Sequence, residues 1–226
     1  IMEAANRGAA EAGAPSVGFN ITLPHEQEPN AYSTPDLTFR FHYFALRKMH
    51  FAMRANALAV FPGGFGTMDE GYEAITLMQT GKSQLMPLVL VDKPGGTYWK
   101  TWDKQVREHL LRDQLISPDD LNLYRITDSA DEAVKIVTRF YRNFNSTRFV
   151  KDLFIIRLNH APTDTAIEAM NEDFADIIVG PAIQRIEPTP EEREDNDQLG
   201  LQRIAFGFNR REYGRLRQLI DVLNNL

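Results

Sequence analysis

Apolar residues fall along this chain in two distinct patterns. Unbroken apolar runs at 57–61 and 85–92 are short and bounded by turn residues, as fully buried strands are. Between and around them lie segments of helical spacing. One covers 2–13 and stops at Gly13, one covers 46–55, and one runs through 72–79. Another covers 98–115, with Trp99, Trp102, Val106, Leu110 and Leu111 as its apolar positions, and another covers 129–144. Further strands are expected at 16–21 and 121–126, and an extended or edge segment at 37–44. The Pro- and Asn-rich stretch 22–35 has the length of a lid or binding loop. Strands alternating with helices of this length predict an α/β fold, a parallel doubly wound sheet with helices on both faces.

The texture changes near 143–147. Beyond it the pattern predicts strand (149–158), helix (163–174), two strands (177–187 and 199–208) and a closing helix (211–223). This βαββα order divides the chain into a domain at 1–145 and a small α+β C-terminal region at 146–226. The acidic run 188–197 reads as a solvated, mobile linker. The chain opens directly on a helix with no strand before it, so the first domain is expected to be N-terminally incomplete, with one or more strands preceding residue 1.

Composition narrows the function classes. With 226 residues and 43% hydrophobic content, the chain can bury a sizeable core. A formal net charge of -6 argues against a nucleic-acid partner, which calls for a basic face. No apolar run approaches the roughly 18 residues of a membrane span. The absence of cysteine removes disulfides, thiolate metal sites and cysteine nucleophiles, and fits a reducing, cytoplasmic setting. The five histidines show no metal-ligand spacing, so no metal is expected.

The chemistry concentrates at 62–73, PGGFGTMDEGYE, where a strand, a glycine turn and a helix start meet. In an α/β sheet this junction presents backbone N–H groups to a phosphate. Gly63, Gly64 and Gly66 can take positive φ and let a ligand approach the backbone. Thr67 is expected to cap the helix, with Asp69 and Glu70 in its first turn. Glu70 and Glu73 are three apart and share a helical face. The turn lacks both the Gly-Lys-Ser/Thr of a P-loop and the GxGxxG of a dinucleotide fingerprint, so one phosphate is the expected ligand. Taken alone, such a turn is also compatible with a plain strand-to-helix connection. Carboxylates beside it are suited to binding ribose hydroxyls, stabilising a cationic sugar or activating water. Arg47-Lys48 is either a solvated pair or the source of a guanidinium for a phosphate or carboxylate.

Arg47-Lys48, PGGFGTMDE, Glu73, Gln79 and Gly81 together resemble the LOG ("Lonely Guy") family, whose signature is PGGxGTxxE after an Arg-Lys pair. Many of its members carry the label "lysine decarboxylase". The opening Ile1-Met-Glu-Ala is similar to the tail of the family's other glycine-rich motif, and 18–27 resembles its larger bacterial members. The resemblance covers about 1–145. It implies a Rossmann-like domain that needs no cofactor and forms a homodimer or higher homo-oligomer. The implied reaction is hydrolysis of a nucleoside 5'-monophosphate, AMP-like or a cytokinin riboside monophosphate, to free base and ribose 5-phosphate. It assigns Gly63, Gly64, Gly66 and Thr67 to the phosphate, Glu70 and Arg47 to catalysis, and Glu73 to substrate binding. A non-catalytic carrier of a nucleotide or phosphorylated cofactor on the same fold is the alternative.

Overall fold

The computed structural model describes residues 1–22 and 30–226. Most of the first half of the expected binding loop, 23–29, therefore lies outside the described residues. The chain forms two compact units, Ile1–Ala55 and Asn56–Leu226.

In the first unit, helix α1 (Met2–Glu11) ends just before Gly13, which takes φ +70°. Strand β1 (Gly18–Ile21) pairs in parallel with β2 (Thr38–Phe41), and helix α2 (Phe44–Arg54) follows. The expected edge segment is thus a strand, and α2 begins two residues earlier than its periodicity indicates. Phe19 makes edge-on contacts with Phe39, Phe41 and Phe51, so an aromatic cluster ties α2 to the two strands.

The second unit begins with β3 (Leu58–Val60), α3 (Phe65–Gln79), β4 (Leu88–Val91), α4 (Tyr98–Gln105), β5 (Arg125–Thr127) and α5 (Ala130–Phe140). The strands form a parallel sheet in the order β3-β4-β5. All four residues of β4 are buried, as an unbroken apolar run in a central parallel strand should be. Val89 and Val91 pack against Ala133, with Phe61, Ile136 and Val137 closing that layer from α5 and the strand end. The expected strand at 121–126 is mostly a 3-10 turn, Pro118–Leu123, leaving only Arg125–Thr127 in the sheet. A capping box between Ser117 and Asp120 starts that turn and overrides the apolar run.

Helix α3 closes in a Schellman motif: the Lys82 N–H donates to the Leu77 carbonyl and the Gly81 N–H to the Met78 carbonyl. Gly81 sits at φ +66°, and a Cβ there would collide with the phenol of Tyr213. Gly81→Ala is therefore expected to destabilise the second unit by about 1–3 kcal/mol, from a left-handed backbone and overpacking together. A fall in the urea midpoint at unchanged slope checks this.

The C-terminal part consists of β6 (Phe144–Val150), β7 (Leu153–Leu158), α6 (Asp164–Asp173), β8 (Gln184–Arg185), α7 (Pro190–Glu194), β9 (Gln202–Gly207) and α8 (Tyr213–Leu223). Its sheet is antiparallel in the order β6-β7-β9-β8. The order is therefore ββαβαβα where βαββα was expected. The strand expected at 149–158 is the second of two, Phe144–Val150 and Leu153–Leu158, because the chain reverses at Lys151-Asp152, a turn without the usual Asn-Gly signal. The expected strand at 177–187 shrinks to Gln184–Arg185, interrupted by Gly180 and Pro181.

The acidic run is the largest departure. It is not a solvated linker. Thr189 and Glu192 form a capping box that starts α7, and Glu192 is fully buried. Its carboxylate accepts from Arg157 (2.7 and 2.9 Å) and Arg203 (3.2 Å), both also buried. Asp197 accepts from Arg148 and Arg157 at 2.9 and 2.6 Å. The acidic residues of this segment answer the arginines of β6, β7 and β9.

Candidate active site

The glycine turn leaves the carboxyl end of β3 and enters α3. Gly64 is the N-cap residue, and its carbonyl accepts from the N–H groups of Thr67 (3.1 Å) and Met68 (3.2 Å). The helix thus starts three residues earlier than a Thr67 cap implies. Thr67 is the third helical residue, and Asp69 and Glu70 lie beyond the first turn. Among the described residues no side chain caps the helix. The N–H groups of Phe65 and Gly66 precede the first donor of the helix's own ladder, Thr67, which is the arrangement that receives an anion.

None of Gly63, Gly64 and Gly66 takes a positive φ. The need for glycine at 63 has a different origin: an added Cβ would overlap the Thr67 hydroxyl and its Cβ. Thr67 folds back over Gly63, and the pair sets the tightness of the turn. Among the described residues, and apart from chain neighbours and the helix's own backbone, no heavy atom lies within 4 Å of where a Cβ would stand at Gly64 or Gly66, so the backbone there is open to approach.

Sequence reasoning missed two neighbours of this turn. Tyr98, the first residue of α4, donates its hydroxyl to the Gly63 carbonyl at 2.6 Å. Asp92, at the end of β4, is buried and accepts from the N–H groups of Lys93 (2.9 Å) and Trp99 (3.4 Å). It shapes the Lys93–Gly96 turn that delivers Tyr98. The only sequence signal was the paired Gly95-Gly96 after a buried strand.

Glu70 and Glu73 both lie on α3, partly buried, and share the face expected of residues three apart. An aromatic wall holds the helix. Trp102 Nε1 donates to Tyr72 Oη at 2.9 Å, and Trp102 and Tyr124 stack edge-on at 5.1 Å. Burial, with a 2.5 Å hydrogen bond to Asp103, pushes the Tyr124 phenol well above its ordinary value, so it stays a neutral donor. Gln79 donates to Asp120 at 2.8 Å and joins α3 to the 3-10 turn. Within the LOG-like signature, Gln79 and Gly81 are therefore structural.

Arg47 belongs to the first unit. It lies on α2, partly buried, donates through Nε to the Phe19 carbonyl of β1 at 2.8 Å, and places its guanidinium 5.2 Å from the Phe51 ring centre. Among the described residues, no group of three or more His, Asp or Glu side chains is placed to hold a metal ion. No described helix is long and apolar enough to cross a membrane.

A turn of this composition, followed by glutamates on the helix it opens, carries the PGGxGTxxE pattern. The sequence profile of the family described as "possible lysine decarboxylase" matches residues 2–137. The chain belongs to this family. It is the family of the LOG domain, and the match spans the glycine turn, Arg47 and both glutamates. No curated protein matches the chain. The α/β architecture with parallel strands flanked by helices is that of a Rossmann-like LOG domain.

Proposed function

We propose that this LOG-family chain hydrolyses the N-glycosidic bond of a nucleoside 5'-monophosphate, adding water to release the free base and ribose 5-phosphate. The observation that carries this reading is the uncapped start of α3 at the glycine turn, followed on the same helix by Glu70 and Glu73. In this reading the backbone of Gly63, Gly64 and Gly66 and the Thr67 hydroxyl hold the 5'-phosphate. Fixing the phosphate fixes the sugar, which is the largest service a site can render to a hydrolysis with water. Glu70 stabilises positive charge developing at C1', and Arg47 is the second catalytic group. Glu73 binds a ribose hydroxyl. The chain acts without a cofactor and as a homo-oligomer. Within the first unit, α2 buries none of its residues and exposes Phe44, Leu46, Met49 and Met53, which suits a surface covered by a second copy.

The family's descriptive label suggests decarboxylation with pyridoxal phosphate. That chemistry needs a lysine enclosed in a cofactor pocket. Every lysine of the chain is exposed except Lys48, which is only partly buried, so the residues do not fit that group.

The test is a panel of nucleoside 5'-monophosphates assayed for free base. Release of base with equimolar ribose 5-phosphate is expected. Saturable binding without release would leave the carrier reading in its place. Tyr98→Phe, which removes the hydroxyl on the Gly63 carbonyl, is expected to raise KM about 2–10-fold with kcat little changed, one neutral hydrogen bond's worth. Steady-state kinetics on the preferred nucleotide reads this directly.

A further inference from the structure

A cavity of about 240 Å³ lies between α5, the start of β5 and the end of α8. Its charged lining is Arg125, Arg139, Arg217 and Asp221, over the ring of Phe140. Three guanidinium groups face one carboxylate, so two positive charges are uncompensated on the walls.

Arg217 is the unusual member. Its side chain is only 4% exposed, and its guanidinium stacks 4.5 Å from the Phe140 ring centre. It donates through Nε to Asp221 Oδ1 at 3.1 Å, while Nη1 and Nη2 have no acceptor among the described residues. Arg125 Nη2 takes the other oxygen of the same carboxylate at 2.8 Å. Arg139 donates through Nε and Nη2 to a neutral amide oxygen, that of Asn225, at 3.2 and 2.6 Å. Burial lowers the Arg217 pKa and the charge of Arg125 adds to that, against the pull of Asp221. The two Nη donors open into the cavity beside a like charge, where an anion would both accept from them and offset the repulsion.

We propose that this cavity binds a phosphate-class oxyanion, with the open Nη groups of Arg217 as its main donors and Arg139 and Arg125 completing the charge. Guanidinium forks match the geometry of phosphate oxygens, and two surplus charges suit a dianion. The volume is below the roughly 300 Å³ at which cavities begin to take drug-sized ligands, so the occupant is orthophosphate or the phosphate end of a small phosphomonoester and not a whole nucleotide. The site is separate from the glycine turn. Arg125 stands at the first position of β5, whereas the turn follows the last residue of β3, and the three strands run parallel. The two features therefore occupy opposite edges of the sheet.

Calorimetric titration of orthophosphate into the full chain, at ionic strength held constant with chloride, tests this. Saturable binding is expected. It should persist in Gly64→Asp, which places a repelling carboxylate at the start of α3, and weaken about tenfold or more in Arg139→Gln. Arg217→Lys keeps the charge and loses the fork, and should weaken it further. Competition by ribose 5-phosphate or glycerol phosphate would identify a phosphomonoester end as the ligand; orthophosphate binding without competition would identify the free ion. No saturable binding, or binding abolished by Gly64→Asp and indifferent to both arginine variants, overturns the proposal.

Discussion

Glu70→Gln is expected to lower base release from a nucleoside 5'-monophosphate by about 10²–10⁴-fold, the range for losing one positioned catalytic carboxylate. The amide keeps the size and rotamers of the side chain but carries no charge to set against a cationic sugar. The loss should appear in kcat and in kcat/KM together, since the interaction is made in the transition state. Glu73→Gln should act mainly on KM, as a ribose-binding group would. Circular dichroism and a thermal melt confirm that α3 remains folded in each variant. A folded Glu70→Gln protein with full turnover would remove Glu70 from the reaction. Glu70 and Glu73 share a face of one helix, so a KM-against-kcat split between them discriminates roles that position alone does not.

The second large effect lies far along the chain. Glu192→Gln is expected to destabilise the second unit by about 3–5 kcal/mol, because it leaves the buried Arg203 guanidinium without a counter-charge and Arg157 with Asp197 alone. For a unit of this size that corresponds to a melting point lower by about 10 °C. The same carboxylate gives the protein an acid limb. Burial alone would raise the Glu192 pKa, but the Thr189 N–H, Arg157 and Arg203 outweigh it and hold the pKa below the ordinary carboxylate value. A pKa depressed by folding means the unfolded chain takes up the proton first. The stabilisation is therefore complete above the unfolded value, near pH 4.3, and is lost as pH falls through the lower folded value. Melting points measured from pH 6 to pH 3 should fall less steeply in Glu192→Gln than in the parent chain.

The parts legible in the sequence were those carried by local pattern. The apolar run at 85–92 could only be a strand covered on both faces, and β4 is that strand. The glycine turn announced itself by composition and by its place between a strand and a helix. The misreadings share a cause, which is that weak local signals competed with stronger ones of different kind. At Lys151-Asp152 no Asn-Gly marks the turn, so the pattern reads as one strand, 149–158, across it. At 188–197 net charge suggested solvation, although Thr189-Pro-Glu-Glu192 carries the Thr-x-x-Glu signature of a capping box. That signature was available and was outweighed by a run of acidic residues whose partners lie up to about fifty positions earlier in the chain.

The sequence by itself determined the family: a PGG turn, two glutamates one helical turn apart and an Arg-Lys pair are enough to place the chain among LOG proteins. Helix spacing puts Glu70 and Glu73 on one face whatever surrounds them. Tertiary structure decided what holds the glycine turn in shape and where the charges go. Tyr98 reaches the Gly63 carbonyl only because the Lys93–Gly96 turn folds α4 back toward α3. Glu192 becomes a core residue only because Arg157 and Arg203 arrive from β7 and β9. The donors of Arg217 are left open only because Asp221 is shared with Arg125. Each depends on a long-range meeting of groups whose local propensities are silent about their partners. The burial of a charge is fixed by what packs around it, and that is a property of the folded chain.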